Sequence, residues 1–205
     1  MLPVLLDLSG RTALVVGGGP VGRRKARSVL AAGGRVRLVC LEAQPEGAGA
    51  IDWRTEPFQE SHLDGVALAF AAATREVNAR VAEEARRRDV LVNVAGDPRA
   101  GDFHLAATVR RGDLVVAVGT GGAAPALARR LRERFEAELD TAFANWVVLL
   151  SELRPVVLSR VADEARRREL FERLADWSWL ERLRSDGVDA TRAEMLRHIS
   201  DMVGG

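Results

Sequence analysis

The chain has 205 residues and carries 30 Lys and Arg against 29 Asp and Glu, a formal net charge of +1. That length supports a full hydrophobic core in one or two domains without disulfides or a structural metal. A composition of 47% hydrophobic and 29% charged residues excludes a disordered or collagen-like chain, and the balanced charge argues against a nucleic-acid binder.

The first 95 residues alternate strand and helix signals. Thr12–Val16 is a continuous apolar run ending in three glycines, and residues 20–32 read as a helix closed by Gly33-Gly34. Arg35–Cys40 is a second strand, residues 43–50 are small and turn-rich, and a short strand is expected near Trp53–Thr55. Val66–Ala71 reads as a buried strand, Asn78–Arg88 as a helix and Val90–Val94 as the next strand. Apolar strands between amphipathic helices imply a parallel sheet covered on both faces. Two strands, Leu105–Val109 and Leu114–Val118, then flank Arg110-Arg111-Gly112-Asp113 as a hairpin. Beyond Gly122 the chain reads as helical, with Leu127, Leu131, Phe135 and Leu139 spaced four apart as one apolar stripe. Pro155 is expected to break or kink a helix that begins near Thr141, and Gly187 to break a later one. Trp146, Trp177 and Trp179 read as packing anchors of this helical part, although Trp177 and Trp179 cannot share one helical face.

One cysteine, Cys40, precludes an intramolecular disulfide. With only His62, His104 and His198 beside it, no Cys/His zinc cluster is expected, and no metal site is assigned. The N-terminal segment has no basic region and too short an apolar run for a signal peptide. No uninterrupted apolar stretch approaches the roughly 20 residues of a membrane span. A cytoplasmic location is expected, with no membrane or nucleic-acid partner.

Gly17-Gly18-Gly19-Pro20-Val21-Gly22 satisfies G-x-G-x-x-G, and it follows a strand and opens a helix, the context the motif requires. The first glycine permits the tight turn, the second lets backbone approach a pyrophosphate, and the third allows close helix–sheet packing. The helix N-terminus offers N–H groups and a partial positive charge to phosphates. Glu42 lies 20 residues after Gly22, where an acid accepts hydrogen bonds from a ribose and repels a 2′-phosphate. That arrangement selects NAD over NADP.

Several segments carry a family resemblance. They are Leu2-Pro3-Val4-Leu5-Leu6-Asp7-Leu8, the run from Val15 to Ala26, Asn93-Val94, Asp102-Phe103-His104, and Gly121-Gly122-Ala123-Ala124-Pro125-Ala126-Leu127-Ala128-Arg129. In order and spacing they resemble the precorrin-2 dehydrogenase family, which includes the N-terminal module of sirohaem synthase. The resemblance implies an NAD-binding Rossmann domain (1–103), a β-hairpin dimerisation region (104–141) and a helical C-terminal domain (142–205). It also implies NAD-dependent oxidation of precorrin-2 to sirohydrochlorin by a homodimer, with ferrous iron insertion as an additional activity of some members. A non-catalytic protein that binds NAD and the tetrapyrrole is the alternative from another class.

Carried over by position, nucleotide contacts fall on Gly17 to Gly22, on Leu41 and Glu42, and on Thr74, expected beside the nicotinamide ribose. Substrate contacts are expected at His104, Thr120, Gly121, Gly122 and Arg129. The family usually has an aspartate three residues after the position of Asn93; here that residue is Gly96, and Asp97 follows it. Asp97 is therefore the candidate base or proton relay, although Asp-Pro also reads as an ordinary turn pair. The segment after Thr74 is also shorter than is usual in the family. Asp102 reads as structural, and the runs Arg86–Arg88 and Arg166–Arg168 read as solvated helix faces.

Overall fold

The computed structural model describes residues 1–45 and 51–204. Residues 46–50 of the expected turn-rich stretch lie outside the described residues. The chain divides into two compact units, Met1–Leu105 and Ala106–Gly205.

The first unit is a five-stranded parallel sheet in the order β3-β2-β1-β4-β5. Its strands are β1 (Thr12–Val16), β2 (Arg35–Cys40), β3 (Ile51–Thr55), β4 (Val66–Ala71) and β5 (Leu91–Val94). β1 pairs with β2 on one side and with β4 on the other, so the strand order switches at β1. Alternation along β1 builds two half-cores. Ala13 and Val15 pack with Ala26 and Val29 of α1 (Pro20–Ala31). Leu14 and Val16 pack with Val81, Ala82 and Ala85 of α2 (Arg75–Arg87). Leu14, Val15 and Phe70 are fully buried, and each such side chain contributes about 1.5–3 kcal/mol.

The helix α2 begins three residues before the expected Asn78, because the Thr74 hydroxyl accepts from the Val77 N–H (3.4 Å) and caps the first turn. Arg87 and Arg88 are not merely solvated; they pair with Glu83, Glu84 and Glu60.

The second unit opens with an antiparallel hairpin, β6 (Ala107–Arg111) and β7 (Leu114–Val118). Arg111 pairs with Leu114, so the turn holds two residues, Gly112-Asp113, instead of the four expected. The helices are α3 (Pro125–Glu138), α4 (Thr141–Arg160), α5 (Glu164–Leu174) and α6 (Trp177–Gly204), the last broken at Gly187. Pro155 does not break α4. Leu149 and Leu153 before it and Val157 after it are all buried on one core-facing stripe, and that packing offsets the roughly 3 kcal/mol cost of an interior proline.

α4 has the length and apolar composition of a membrane span, but Glu152 and Arg154 interrupt its apolar run and its buried side chains belong to the core of the unit. Trp146 and Trp179 are buried anchors whose indole N–H groups donate to the carbonyls of Leu174 and Arg173. Trp177 departs from that role and is 66% exposed.

Candidate functional site

The turn from β1 to α1 is shaped by close backbone approach. Gly17 has φ 115° and donates its N–H to the Val39 carbonyl (2.8 Å). A Cβ on Gly17 would stand 2.3 Å from the Ala72 carbonyl oxygen, and one on Gly22 would stand 1.9 Å from the Gly17 oxygen. No side chain larger than hydrogen fits at either point. Gly19, by contrast, has no atom within 4 Å of its Cβ direction. It is the N-cap of α1, makes no side-chain cap, and is followed by Pro20 with no acid in the first turn. The early N–H groups of α1 are therefore left without a side-chain cap at a positive helix end. This cradle fits a dinucleotide pyrophosphate.

Glu42 is brought to the same turn. Its Oε2 lies 3.1 Å from the point where a Cβ on Gly18 would stand. Its backbone carbonyl accepts from the Cys40 thiol (3.3 Å) and the Trp53 indole N–H (3.0 Å). Burial pushes the Cys40 thiol above its ordinary value. Arg23 donates from Nε to the Gly18 carbonyl (2.7 Å), and its guanidinium stands 6.0 Å from the Trp53 ring centre. Leu41 is 73% exposed at the end of β2, an apolar surface suited to the flank of a base. Lys25, the only lysine, stands over the Phe70 ring, and burial, with Arg24 nearby, pulls its ammonium below the ordinary value.

The turn after β4 abuts Gly17 through Ala72 and Ala73. Its shape is held by Asn78, whose buried Oδ1 accepts from the Ala73 N–H (2.8 Å), and Thr74 stands next to it at the carboxyl edge.

One strand further out, the loop after β5 carries the candidate acid. Gly96 has φ 82°, a left-handed backbone that glycine adopts without steric cost. Asp97 is exposed, and its Oδ1 accepts from the N–H groups of Arg99 (3.1 Å) and Ala100 (3.3 Å). It therefore acts as the cap of the short 3-10 turn Pro98–Ala100. Asp102 makes two hydrogen bonds with Val92: its N–H donates to the Val92 carbonyl (2.7 Å), and its carboxylate accepts from the Val92 N–H (2.9 Å). The Asn93 amide donates to the Phe103 carbonyl (2.7 Å), and Phe103 meets the Phe70 ring edge-on. Asn93 and Asp102 thus fasten the loop, while His104 is exposed where the first unit ends.

The remaining predicted residues lie in the second unit. Thr120, Gly121 and Gly122 form the turn from β7 to α3; the Thr120 hydroxyl accepts from the Ala124 N–H (3.3 Å) and its carbonyl from the Ala123 N–H (3.0 Å). Arg129 is exposed on α3. Among the described residues no group of three His, Cys, Asp or Glu could hold a metal ion.

Within the first unit the structure thus brings together Gly17 to Gly22, Glu42 and the turn before Thr74. Sequence reasoning missed Trp53, Arg23 and Asn78. Asn78 carried a faint signal, the Thr74-x-x-x-Asn78 spacing of a helix start. Trp53 carried none, because its partner, Glu42, lies in the loop after the neighbouring strand.

A family model described as putative NAD(P)-binding matches residues 4–107, and one described as sirohaem biosynthesis protein central matches residues 111–138. The chain is 40% identical over 179 residues to siroheme synthase 1 of Aeromonas salmonicida, covering 84% of this chain and 38% of that protein. It is 35% identical over 204 residues to siroheme synthase of Chromobacterium violaceum, covering 97% of this chain and 43% of that protein. The chain thus spans about two fifths of the length of these curated relatives. A solved structure titled SirC, precorrin-2 dehydrogenase, superposes with a TM-score of 0.75 at 27% identity, covering 98% of this chain and 100% of that one.

Proposed function

The chain belongs to the family of sirohaem synthases and precorrin-2 dehydrogenases, and from that premise we propose that it oxidises precorrin-2 to sirohydrochlorin with NAD. The observation that carries this reading is the β1–α1 turn, closed to any side chain at Gly17 and Gly22 and open at Gly19. NAD supplies the acceptor for the hydride that leaves a substrate carbon.

The chain's own residues bind, orient and move a proton. The N–H groups of Gly18, Gly19, Val21 and Gly22 hold the pyrophosphate, with Pro20 fixing the first helical turn. Glu42 accepts from the adenosine ribose, Leu41 flanks the base, and Thr74 meets the nicotinamide ribose. Asp97 takes the proton released in the oxidation; Oδ1 is engaged by the loop, which leaves Oδ2 for the substrate. His104, Thr120, Gly121, Gly122 and Arg129 meet the carboxylates of the tetrapyrrole.

Residues 1–103 form the nucleotide-binding domain in this reading, 104–141 the dimerisation region and 142–205 the helical domain. A homodimer is supported by the half-buried stripe of α3, where Leu127 is 51% exposed. The reading places the enzyme in the cytoplasm, where a lone thiol stays reduced.

Anaerobic precorrin-2 mixed with NAD and the purified chain should give the sirohydrochlorin spectrum and an equimolar amount of NADH. Tight binding of both ligands with no NADH would instead identify a non-catalytic binding protein.

A further inference from the structure

Resting on the nucleotide reading above, we infer that Trp53, on the edge strand β3, is a positioning residue that sets the preference for NAD over NADP by fixing Glu42. Glu42 lies two residues beyond the end of β2, outside any strand or helix, and is exposed. A carboxylate so placed has no steric reason to stay over the glycine turn. Its backbone is instead tied from two strands. The Cys40 thiol reaches its carbonyl from β2, and the Trp53 indole N–H reaches the same oxygen from β3. The indole is in turn faced by Arg23, whose Nε holds the Gly18 carbonyl. Arg23, Trp53 and Glu42 thus form one connected group around Gly18.

The chemistry of the group follows from its charges. With Glu42 fixed beside the glycine turn, ribose hydroxyls find an acceptor and a 2′-phosphate meets a like charge. Once Glu42 is free to swing outward, that repulsion falls. The Arg23 guanidinium, held on the Gly18 carbonyl, is then a cationic partner for a phosphate. Trp53 therefore acts on specificity without touching the nucleotide.

The test uses the full chain and calorimetric titration with NAD and NADP separately. Trp53→Phe keeps an aromatic ring and removes the N–H, and Trp53→Leu removes both. Both should weaken NAD by about two- to tenfold, the worth of one hydrogen bond. Both should also reduce the NAD:NADP affinity ratio by more than that, because NADP loses a repulsion. In turnover, KM for NAD should rise while kcat is retained. In a Glu42→Gln background Trp53→Phe should change the ratio by less than twofold, since the two residues act as a unit.

An unchanged ratio in both Trp53 variants overturns the inference, as does an effect of equal size in the Glu42→Gln background. Failure of the unaltered chain to bind either nucleotide overturns the nucleotide reading itself and this inference with it.

Discussion

Two turns in this molecule share a design: a strand, a glycine-rich bend, a proline at the first helical position, then a helix. They differ in where their hydrogen-bonding capacity goes. In the β1–α1 turn Gly17 and Gly22 are buried against backbone, and no side chain caps the helix. In the β7–α3 turn Gly119, Gly121 and Gly122 are exposed, Gly119 meets nothing within 4 Å of its Cβ direction, and Thr120 takes the N–H groups of Ala123 and Ala124. The first turn is a rigid frame around unspent donors. The second spends part of its donors on its own threonine. A glycine motif identifies a phosphate cradle when the glycines are sterically obligatory and the helix end is left uncapped.

Substitution at the obligatory glycines gives the largest expected effect. Gly22→Ala places a methyl group on the Gly17 carbonyl and should weaken NAD binding by about a hundredfold or more, at a cost of about 1–3 kcal/mol in stability. Gly119→Ala should leave stability within about 0.5 kcal/mol and NAD binding unchanged. Calorimetric titration and thermal melts check both, and equal effects would erase the distinction between the turns.

The loop after β5 resembles the second turn in that its acid serves the backbone. Asp97→Asn keeps an acceptor oxygen for the Arg99 and Ala100 N–H groups and removes the base. It should lower kcat by about a hundredfold with NAD affinity unchanged. Turnover equal to that of the unaltered chain would reduce Asp97 to a cap.

Thr120→Ala should cost about 1 kcal/mol, the ordinary worth of a lost turn cap, read as a lowered melting temperature. If it raised the KM for precorrin-2 as well, the second turn would prove to be a substrate site.

The smallest effect lies at the start of α4. There Arg184 donates to Asp140 (2.8 Å) and holds its carboxyl below the ordinary carboxylate value. Because the folded value is depressed, this contribution is complete above the unfolded carboxylate value. It is lost as pH falls through the lower folded one. The pair is about half exposed, so the loss should stay below about 1 kcal/mol. Asp140→Asn should flatten that part of the stability–pH curve.

The legible and illegible features separate by distance along the chain. The fingerprint was readable because its glycines, strand and helix are contiguous, and Glu42 because its spacing from Gly22 is set by one helix and the strand that follows it. Four of the five parallel strands followed from apolar runs and β3 from the short strand expected near Trp53–Thr55, and all five lie there within a few residues at the ends. Cross-strand facts were not readable. Nothing near Trp53 in sequence shows that its indole reaches Glu42, and nothing near Asp102 shows that it faces Val92. Local rules also yielded to packing: of the break or kink expected at Pro155, the break is absent, because flanking leucines and a valine hold the helix together.

The most direct test of the cradle is an amide NMR map of the chain with and without NAD. The account predicts the largest shifts at Gly18, Gly19, Val21, Gly22 and Glu42, with the amides of Thr120 to Ala123 moving far less. Shifts concentrated at Thr120 to Ala123, with the β1–α1 turn silent, would contradict it.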